Sequence, residues 1–112
     1  MVASGEKQTN AEREIFFPLP ASVTIETVET LASELSKLPL SDKPLLALDA
    51  SSTVLITTPG LQLIIALERN LSESGGTLSM GKVSDPVAQA FREAGLESFL
   101  HKLTAQHTGA LQ

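Results

Sequence analysis

The sequence predicts an α/β fold, with a small, mainly parallel or mixed β-sheet and helices packed against it. Short apolar segments alternate with segments of helical periodicity, in the order strand, helix, strand, helix, strand, helix. Residues 45–48 form a nearly continuous apolar stretch, which is typical of a central strand covered on both faces. The 112 residues, of which 42% are hydrophobic, suffice for one domain with a buried core.

The two ends of the chain are predicted to lie outside this domain. Residues 1–12 are polar and aperiodic, which predicts a flexible leader, and the domain itself is expected over residues 13–104. Residues 105–112 are expected to form a frayed tail. The first apolar run, residues 15–20, contains Pro18 and Pro20, which cannot donate ladder hydrogen bonds, so this strand belongs at a sheet edge. A brief extended step through Val23 follows.

The first helix is predicted from four apolar residues at helical spacing. Thr24 is expected to act as its N-cap, and Pro39 is expected to end it at Leu38. The spaced apolar residues are Val28, Leu31, Leu35 and Leu38.

The second helix is predicted to begin at Thr58-Pro59, with the threonine as N-cap and the proline in the first helical position. Apolar residues surround most of its wheel, so much of this helix is expected to be buried. It is predicted to end at Gly75-Gly76 in a left-handed cap. The residues expected to face solvent are Gln62, Glu68, Arg69 and Asn70.

The last strand and the last two helical segments are also predicted from hydrophobic periodicity and capping residues. Residues 77–83 alternate between polar and apolar, which predicts a strand with one buried face. Ser84-Asp85-Pro86 repeats the pattern of a capping hydroxyl followed by proline, and a helical stripe continues to Gly95. Two apolar groups complete the core-facing stripes: Val87, Ala90, Phe91 and Ala94, then Leu96, Phe99, Leu100 and Leu103.

Composition excludes several classes of function. There is no cysteine, so disulfide scaffolds, cysteine-ligated metals and thiol nucleophiles are ruled out. Thirteen acidic against eight basic residues, a formal net charge of −5, argue against nucleic-acid binding, and all four aromatic residues are phenylalanine. The longest apolar run, residues 63–67, is too short to cross a bilayer. We expect a cytoplasmic protein without direct membrane insertion.

No set of residues with the spacing of a catalytic or cofactor site emerges. His101 and His107 lie beyond the last predicted strand, and neither has a nucleophile close in sequence. Asp49 and Asp85 lie at predicted strand ends, where ligands bind in open sheets, but capping or turn formation is the favoured interpretation. The glycines near Lys82 lack the spacing of a phosphate loop. A non-enzymatic protein without cofactor or metal is therefore expected.

One segment resembles a known family. Residues 45–61 read LLALDASSTVLITTPGL, which looks like the core of STAS domains, the family named for sulphate transporters and anti-sigma factor antagonists. The family pattern is an apolar strand ending in Leu-Asp-x-Ser, a short apolar step, and Asp-Ser-Ser-Gly-Leu opening a helix. Residues 48–51 match the first part, and Gly60-Leu61 match the end of the second. The resemblance extends over roughly residues 14–103, in family order, and is closest to small bacterial single-domain members.

The resemblance implies a regulatory module that binds other proteins. In members switched by a kinase, the first serine of Asp-Ser-Ser-Gly takes a phosphate; here Thr58 keeps a hydroxyl and is the candidate phosphoacceptor, but the preceding carboxylate is missing. A phosphate at a helix start fits the unpaired N–H groups there, and its charge would expel a partner with an acidic or apolar surface. The alternative for Thr58 is a purely structural N-cap.

The expected partner is an anti-sigma factor or a histidine-kinase-type protein, in sigma-factor control or chemotaxis signal transduction. The alternative is a role as the STAS subunit of a membrane transporter complex, for phospholipid or anion transport. Gly60 is expected to let a partner's backbone approach closely. The candidate partner-binding residues are Ser51, Thr57, Thr58, Gly60, Gln62, Glu68 and Arg69.

Overall fold

All strand pairs in the described part of the chain are parallel. The computed structural model describes residues 14–39 and 43–110, with side chains as far as residue 106. Strands β1 (Glu14–Pro18), β3 (Leu45–Ala50) and β5 (Thr77–Val83) form a sheet in the order β1-β3-β5. Strands β2 (Ser22–Val23) and β4 (Leu55–Ile56) form a separate two-stranded ribbon. These pairings confirm the predicted α/β class with a mainly parallel sheet.

Four helices are present in the described residues, and they connect and cover the strands. Helix α1 spans Val28–Ser36, α2 spans Thr58–Glu73, α3 spans Asp85–Glu93 and α4 spans Glu97–Ala110. Parallel neighbours need crossover connections, and α1 and α2 lie in those between β1 and β3 and between β3 and β5. Helix α4 packs along β5 and against α3.

The hydrophobic core lies between the sheet and the helices. Strand β3 is the central strand and is buried at Leu46, Ala47 and Leu48, as its continuous apolar sequence predicts. Strand β1 lies at the sheet edge and ends at Pro18, as its prolines predict. The largest completely buried apolar side chains elsewhere are Val23, Ile64, Leu78, Met80, Val87, Phe91 and Leu103.

The start and end of α1 differ from the prediction. The N-cap residue is Thr27, and the helix ends at Ser36 with Lys37 as C-cap, two residues before Leu38. Thr24 instead opens a turn, because its carbonyl oxygen accepts hydrogen bonds from the N–H groups of Thr27 and Val28. A local turn therefore takes the position that spacing alone assigned to the cap.

The cap of α3 and the end of α2 agree with the sequence. The Ser84 hydroxyl accepts a hydrogen bond from the N–H of Val87 at 3.4 Å, with proline in the first turn. Gly75 has a φ of +81°, and the N–H of Gly76 donates to the carbonyl of Leu71 at 2.7 Å. This pattern is the left-handed helix end that the glycine pair predicts.

Three elements differ from the sequence-based prediction, two in their burial and one in its length. In β5, Ser79 is buried together with Leu78 and Met80, so the first half of the strand is covered on both faces rather than one. In α2, Ala66 is exposed, and the helix is less buried than expected. Helix α4 continues to Ala110, through most of the segment expected to be a frayed tail. The predicted leader, residues 1–12, lies outside the described residues.

Candidate functional site

The loops that follow β1 and β3 meet at one edge of the molecule, beside the start of α2. The N–H of Leu19 donates to the carbonyl of Asp49 at 2.9 Å, which joins the ends of β1 and β3. The N–H of Val54 donates to Ala21 at 2.8 Å, just before the β2–β4 ribbon begins. Because parallel strands end at the same edge, this arrangement brings the candidate loop residues together.

A buried threonine fixes the loop after β3. Thr53 is completely buried, and its hydroxyl donates to the carbonyl of Pro20 at 2.9 Å. The carbonyl of Thr53 accepts a hydrogen bond from the Ser84 hydroxyl. One residue therefore joins the chain before β2 to the start of α3. The sequence analysis did not single out Thr53, since its burial depends on contacts made across the fold.

The helix tip is built differently from the prediction, because Thr58 is the first helical residue and not the N-cap. The N-cap position is taken by Thr57, whose side chain makes no capping hydrogen bond; its hydroxyl donates to the carbonyl of Val23 at 3.5 Å. Thr58 is exposed, so its hydroxyl is open to solvent in the first turn of α2. The first turn contains no acidic residue, which leaves the positive helix end without a local anion.

Gly60 has an internal role and is not available to a partner. It is buried, and a Cβ atom built there would lie 2.7 Å from Val23 Cγ1 and 2.8 Å from Ile56 Cγ1. The glycine lets α2 approach the β2–β4 ribbon. The sequence analysis expected a partner's backbone at this glycine, but the space beside it is occupied by this chain's own ribbon.

The exposed face of α2 begins at Thr58. Residues at spacings of three and four lie on the same side of a helix, which places Gln62, Ile65 and Arg69 in line with Thr58. Gln62 and Arg69 are exposed, and Ile65 is half-buried between them. These four residues are called the α2 face below. The structure therefore brings three of the predicted contact residues onto one surface.

Glu68 does not belong to that surface. Its side chain is only 17% exposed, and its carboxylate pairs with the Lys102 ammonium of α4 at 2.9 Å. The position of Glu68 in the polar part of the sequence suggested an exposed residue. Because Lys102 lies 34 residues further along the chain, no local pattern could have revealed this pairing.

Ser51 is exposed in the loop after β3 and orders the neighbouring carboxylate. Its N–H donates to Asp49 Oδ1 at 2.9 Å. Hydrogen bonds from Ser51, with a smaller contribution from the nearby Lys82 cation, hold the pKa of Asp49 below its ordinary value. Asp49 thus closes a turn, which is the interpretation that the sequence favoured over a ligand role.

Three exposed apolar residues lie along the ribbon and were not anticipated. Ile25 is 67% exposed, Val54 is 64% exposed and Leu55 is 47% exposed. These three residues are called the ribbon patch below. Residues 54–56 form a short apolar run, but only Ile56 is buried in the core. Two-residue strands are too short for an alternation signal, which explains why the sequence did not identify the patch.

Two of the remaining titratable candidates are exposed on different helices. Asp85 is exposed in the first turn of α3, where the helix N-terminus favours an anion. His101 is exposed on α4, whereas the side chain of His107 lies outside the described residues. In the part of the chain that the structure describes, no group of three or more ligating side chains is placed to hold a metal ion. No described helix is long and apolar enough to span a bilayer.

The fold and this edge agree with the family comparison. A family model described as Mlab, STAS domain matches residues 18–104, which is most of the chain. The protein therefore belongs to the STAS family, and the family as a whole is generally non-enzymatic. A comparison with curated proteins finds no match.

Proposed function

We propose that this protein is a non-enzymatic regulatory module that binds a partner protein through the Thr58 loop and the α2 face. The partner is an anti-sigma factor or a histidine-kinase-type protein, and the module resembles anti-sigma factor antagonists or chemotaxis-linked STAS proteins. The observation that carries the proposal is the exposed Thr58 hydroxyl in the first turn of α2, in line with exposed Gln62 and Arg69. STAS membership supports the general role.

Phosphorylation of Thr58 would act directly on such a complex. The hydroxyl lies in the first turn, where unpaired backbone N–H groups and the positive helix end accommodate an anion. A phosphate adds about −1.5 to −2 charges without requiring the helix to unfold. The same group would have to be desolvated in a fitted interface, so modification would favour release of the partner.

The test begins with a partner identified by pull-down from the source cells and then purified. We expect Thr58→Glu to weaken its complex by about 1–3 kcal/mol, because a carboxylate enters the contact surface. Thr58→Ser keeps the hydroxyl and is expected to bind like the wild type. Ser72→Glu adds the same charge at the exposed far end of α2 and is the matched control.

Titration calorimetry measures the affinities of the wild type and the three variants for the partner. Equal affinity of Thr58→Glu and wild type would remove the α2 face from the interface. A partner that responds to Ser72→Glu as strongly as to Thr58→Glu would show an effect of net charge and no specific contact.

A second candidate function is a subunit of a membrane transporter complex, for phospholipid or anion transport. Thr57 stands where kinase-switched members carry the aspartate before the phosphorylated serine, so a permanent interface without a switch also fits this site. Copurification distinguishes the two functions. A kinase-type partner supports the first, and an ATP-binding subunit that stays bound through membrane solubilisation supports the second.

A further inference from the structure

The ribbon patch extends along the two-stranded ribbon and reaches the Thr58 end of α2 at Ile25. Ser22 pairs with Leu55 and Val23 with Ile56, and the N–H of Thr57 donates to the carbonyl of Val23 at 3.0 Å. Ile25 follows β2 and Thr58 follows β4, so both residues leave the ribbon at the same end. Ile25 therefore lies at the helix tip, whereas Val54 precedes β4 at the opposite end of the ribbon and Leu55 lies between them. Each of the three side chains has about half or more of its surface exposed.

Carboxylates border this apolar surface on the α1 side. Glu26 follows Ile25 directly, and its carboxylate accepts a hydrogen bond from the Thr24 hydroxyl at 3.1 Å, which holds it near the end of β2. Glu29 is exposed in the first turn of α1. Neither carboxylate takes part in an ion pair with another described residue. The border thus presents negative charge to solvent.

We infer that the ribbon patch and its acidic border form a docking surface for a protein segment that combines apolar side chains with lysine or arginine. This inference rests on the proposed function and names the chemistry of the partner. The apolar side chains cover Ile25, Val54 and Leu55, and the cations lie over Glu26 and Glu29. Apolar contact supplies affinity, and charge complementarity orients the segment and speeds its encounter.

A lipid surface fits these residues less well than a protein. Membranes that recruit proteins by charge carry anionic lipids, which attract basic segments. The carboxylates beside Ile25 would be repelled by such a surface, and the exposed apolar area is limited to three side chains. The favoured occupant is therefore a cationic amphipathic segment, which commonly docks as a helix.

The probes are two amphipathic helical peptides with the same leucine face, one with lysine and one with glutamate on its polar face. Titration of the full chain, followed by amide NMR, is expected to show binding of the lysine peptide at least about tenfold tighter than the glutamate peptide at low salt. The shifted signals should belong to Ile25, Val54, Leu55 and Glu29.

Variants test the two components separately. Ile25→Ser with Val54→Ser should reduce binding of the lysine peptide at least about fivefold, whereas Phe16→Ser should not. Phe16 is a matched control because it is 66% exposed but lies on β1, in the other sheet. Glu29→Lys should reverse the preference between the peptides, and Glu73→Lys, at the exposed far end of α2, should not.

Several outcomes would overturn the inference. These are equal binding of the two peptides, shifts confined to other surfaces, absence of binding at millimolar peptide, or tighter binding to anionic vesicles than to the lysine peptide. With the natural partner, a loss of affinity in Thr58→Glu but not in the ribbon variants would reject this docking surface and leave the proposed function standing. A loss of affinity in the ribbon variants but not in Thr58→Glu would support this docking surface and reject the Thr58 surface of the proposed function.

Discussion

At Gly60 the second helix touches the ribbon so closely that a methyl group does not fit. Alanine normally stabilises a helix by about 1 kcal/mol relative to glycine. Here its Cβ would lie 2.7 Å from Val23 Cγ1 and 2.8 Å from the carbonyl oxygen of the same residue. The steric cost of a methyl group at position 60 therefore exceeds the gain in helix propensity. A loss of stability in Gly60→Ala would indicate that α2 lies this close to the ribbon.

We expect Gly60→Ala to lower the free energy of unfolding by about 1–3 kcal/mol, measured by urea denaturation. Gln62→Ala, at an exposed position of the same helix, should change it by less than about 0.5 kcal/mol. A stabilised Gly60→Ala protein would contradict the close approach of α2 to the ribbon.

The Asp49 carboxyl offers a second test at the level of single residues. Ser51→Ala removes the side-chain hydrogen bond, so the pKa of Asp49 is expected to rise toward its ordinary value, as followed by NMR titration. Because the folded-state pKa is lowered, the stability contributed by this carboxylate is present above the unfolded-state pKa and is lost as pH falls through the folded-state value. The variant should lose part of that pH dependence at acidic pH. An unchanged pKa would show that the hydroxyl has no effect on the charge.

Two helix starts in this protein look alike in sequence but differ in their capping. The Ser84 hydroxyl accepts from the N–H of Val87 and also donates to the carbonyl of Thr53. Thr57 makes no side-chain cap. We therefore expect Ser84→Ala to lower the free energy of unfolding by about 1–2 kcal/mol and Thr57→Ala by clearly less, measured by thermal and urea unfolding. Equal effects would mean that hydroxyl capping is not what distinguishes the two helices.

Elements could be predicted from the sequence where a local pattern was strong. The two prolines of β1, the apolar run of β3 and the glycine pair after α2 each predicted a feature that the structure contains. The starts of α1 and α2 were misplaced by three residues and one residue respectively, since several threonines compete for the cap and tertiary contacts select among them. The ribbon patch could not be predicted, because two-residue strands carry no periodicity.

At the scale of the whole molecule, one ion pair joins α4 to α2. Glu68 and Lys102 pair at 2.9 Å, and the Glu68 side chain is only 17% exposed. Arg92 and Glu97 are 3.8 Å apart, and both of their side chains are more than half exposed. A double-mutant cycle with Glu68→Gln and Lys102→Met is expected to give a coupling energy of about 0.5–1 kcal/mol that falls with added salt. The same cycle on Arg92 and Glu97 should give a value near zero.

Overall shape was more predictable than the surface. The alternation of strand and helix segments in the sequence predicted the α/β fold class and the parallel strand pairing, because both depend on which side chains must be buried. The candidate surface depends on which polar residues remain unpaired, and contacts between distant segments decide that. Of the predicted contact residues, Glu68 pairs with Lys102 and Gly60 packs against the ribbon. Thr58, Gln62 and Arg69 are exposed.

Positions 58 and 60, in the same helical turn, differ strongly in the substitutions that the fold tolerates. The exposed side chain of Thr58 makes no hydrogen bond with the other described residues, so a lineage can exchange it without loss of folding. Any side chain at position 60 would collide with Val23. A single substitution can therefore remove or restore this exposed hydroxyl without disturbing the fold, whereas a substitution of the glycine two residues later disturbs the contact between α2 and the ribbon.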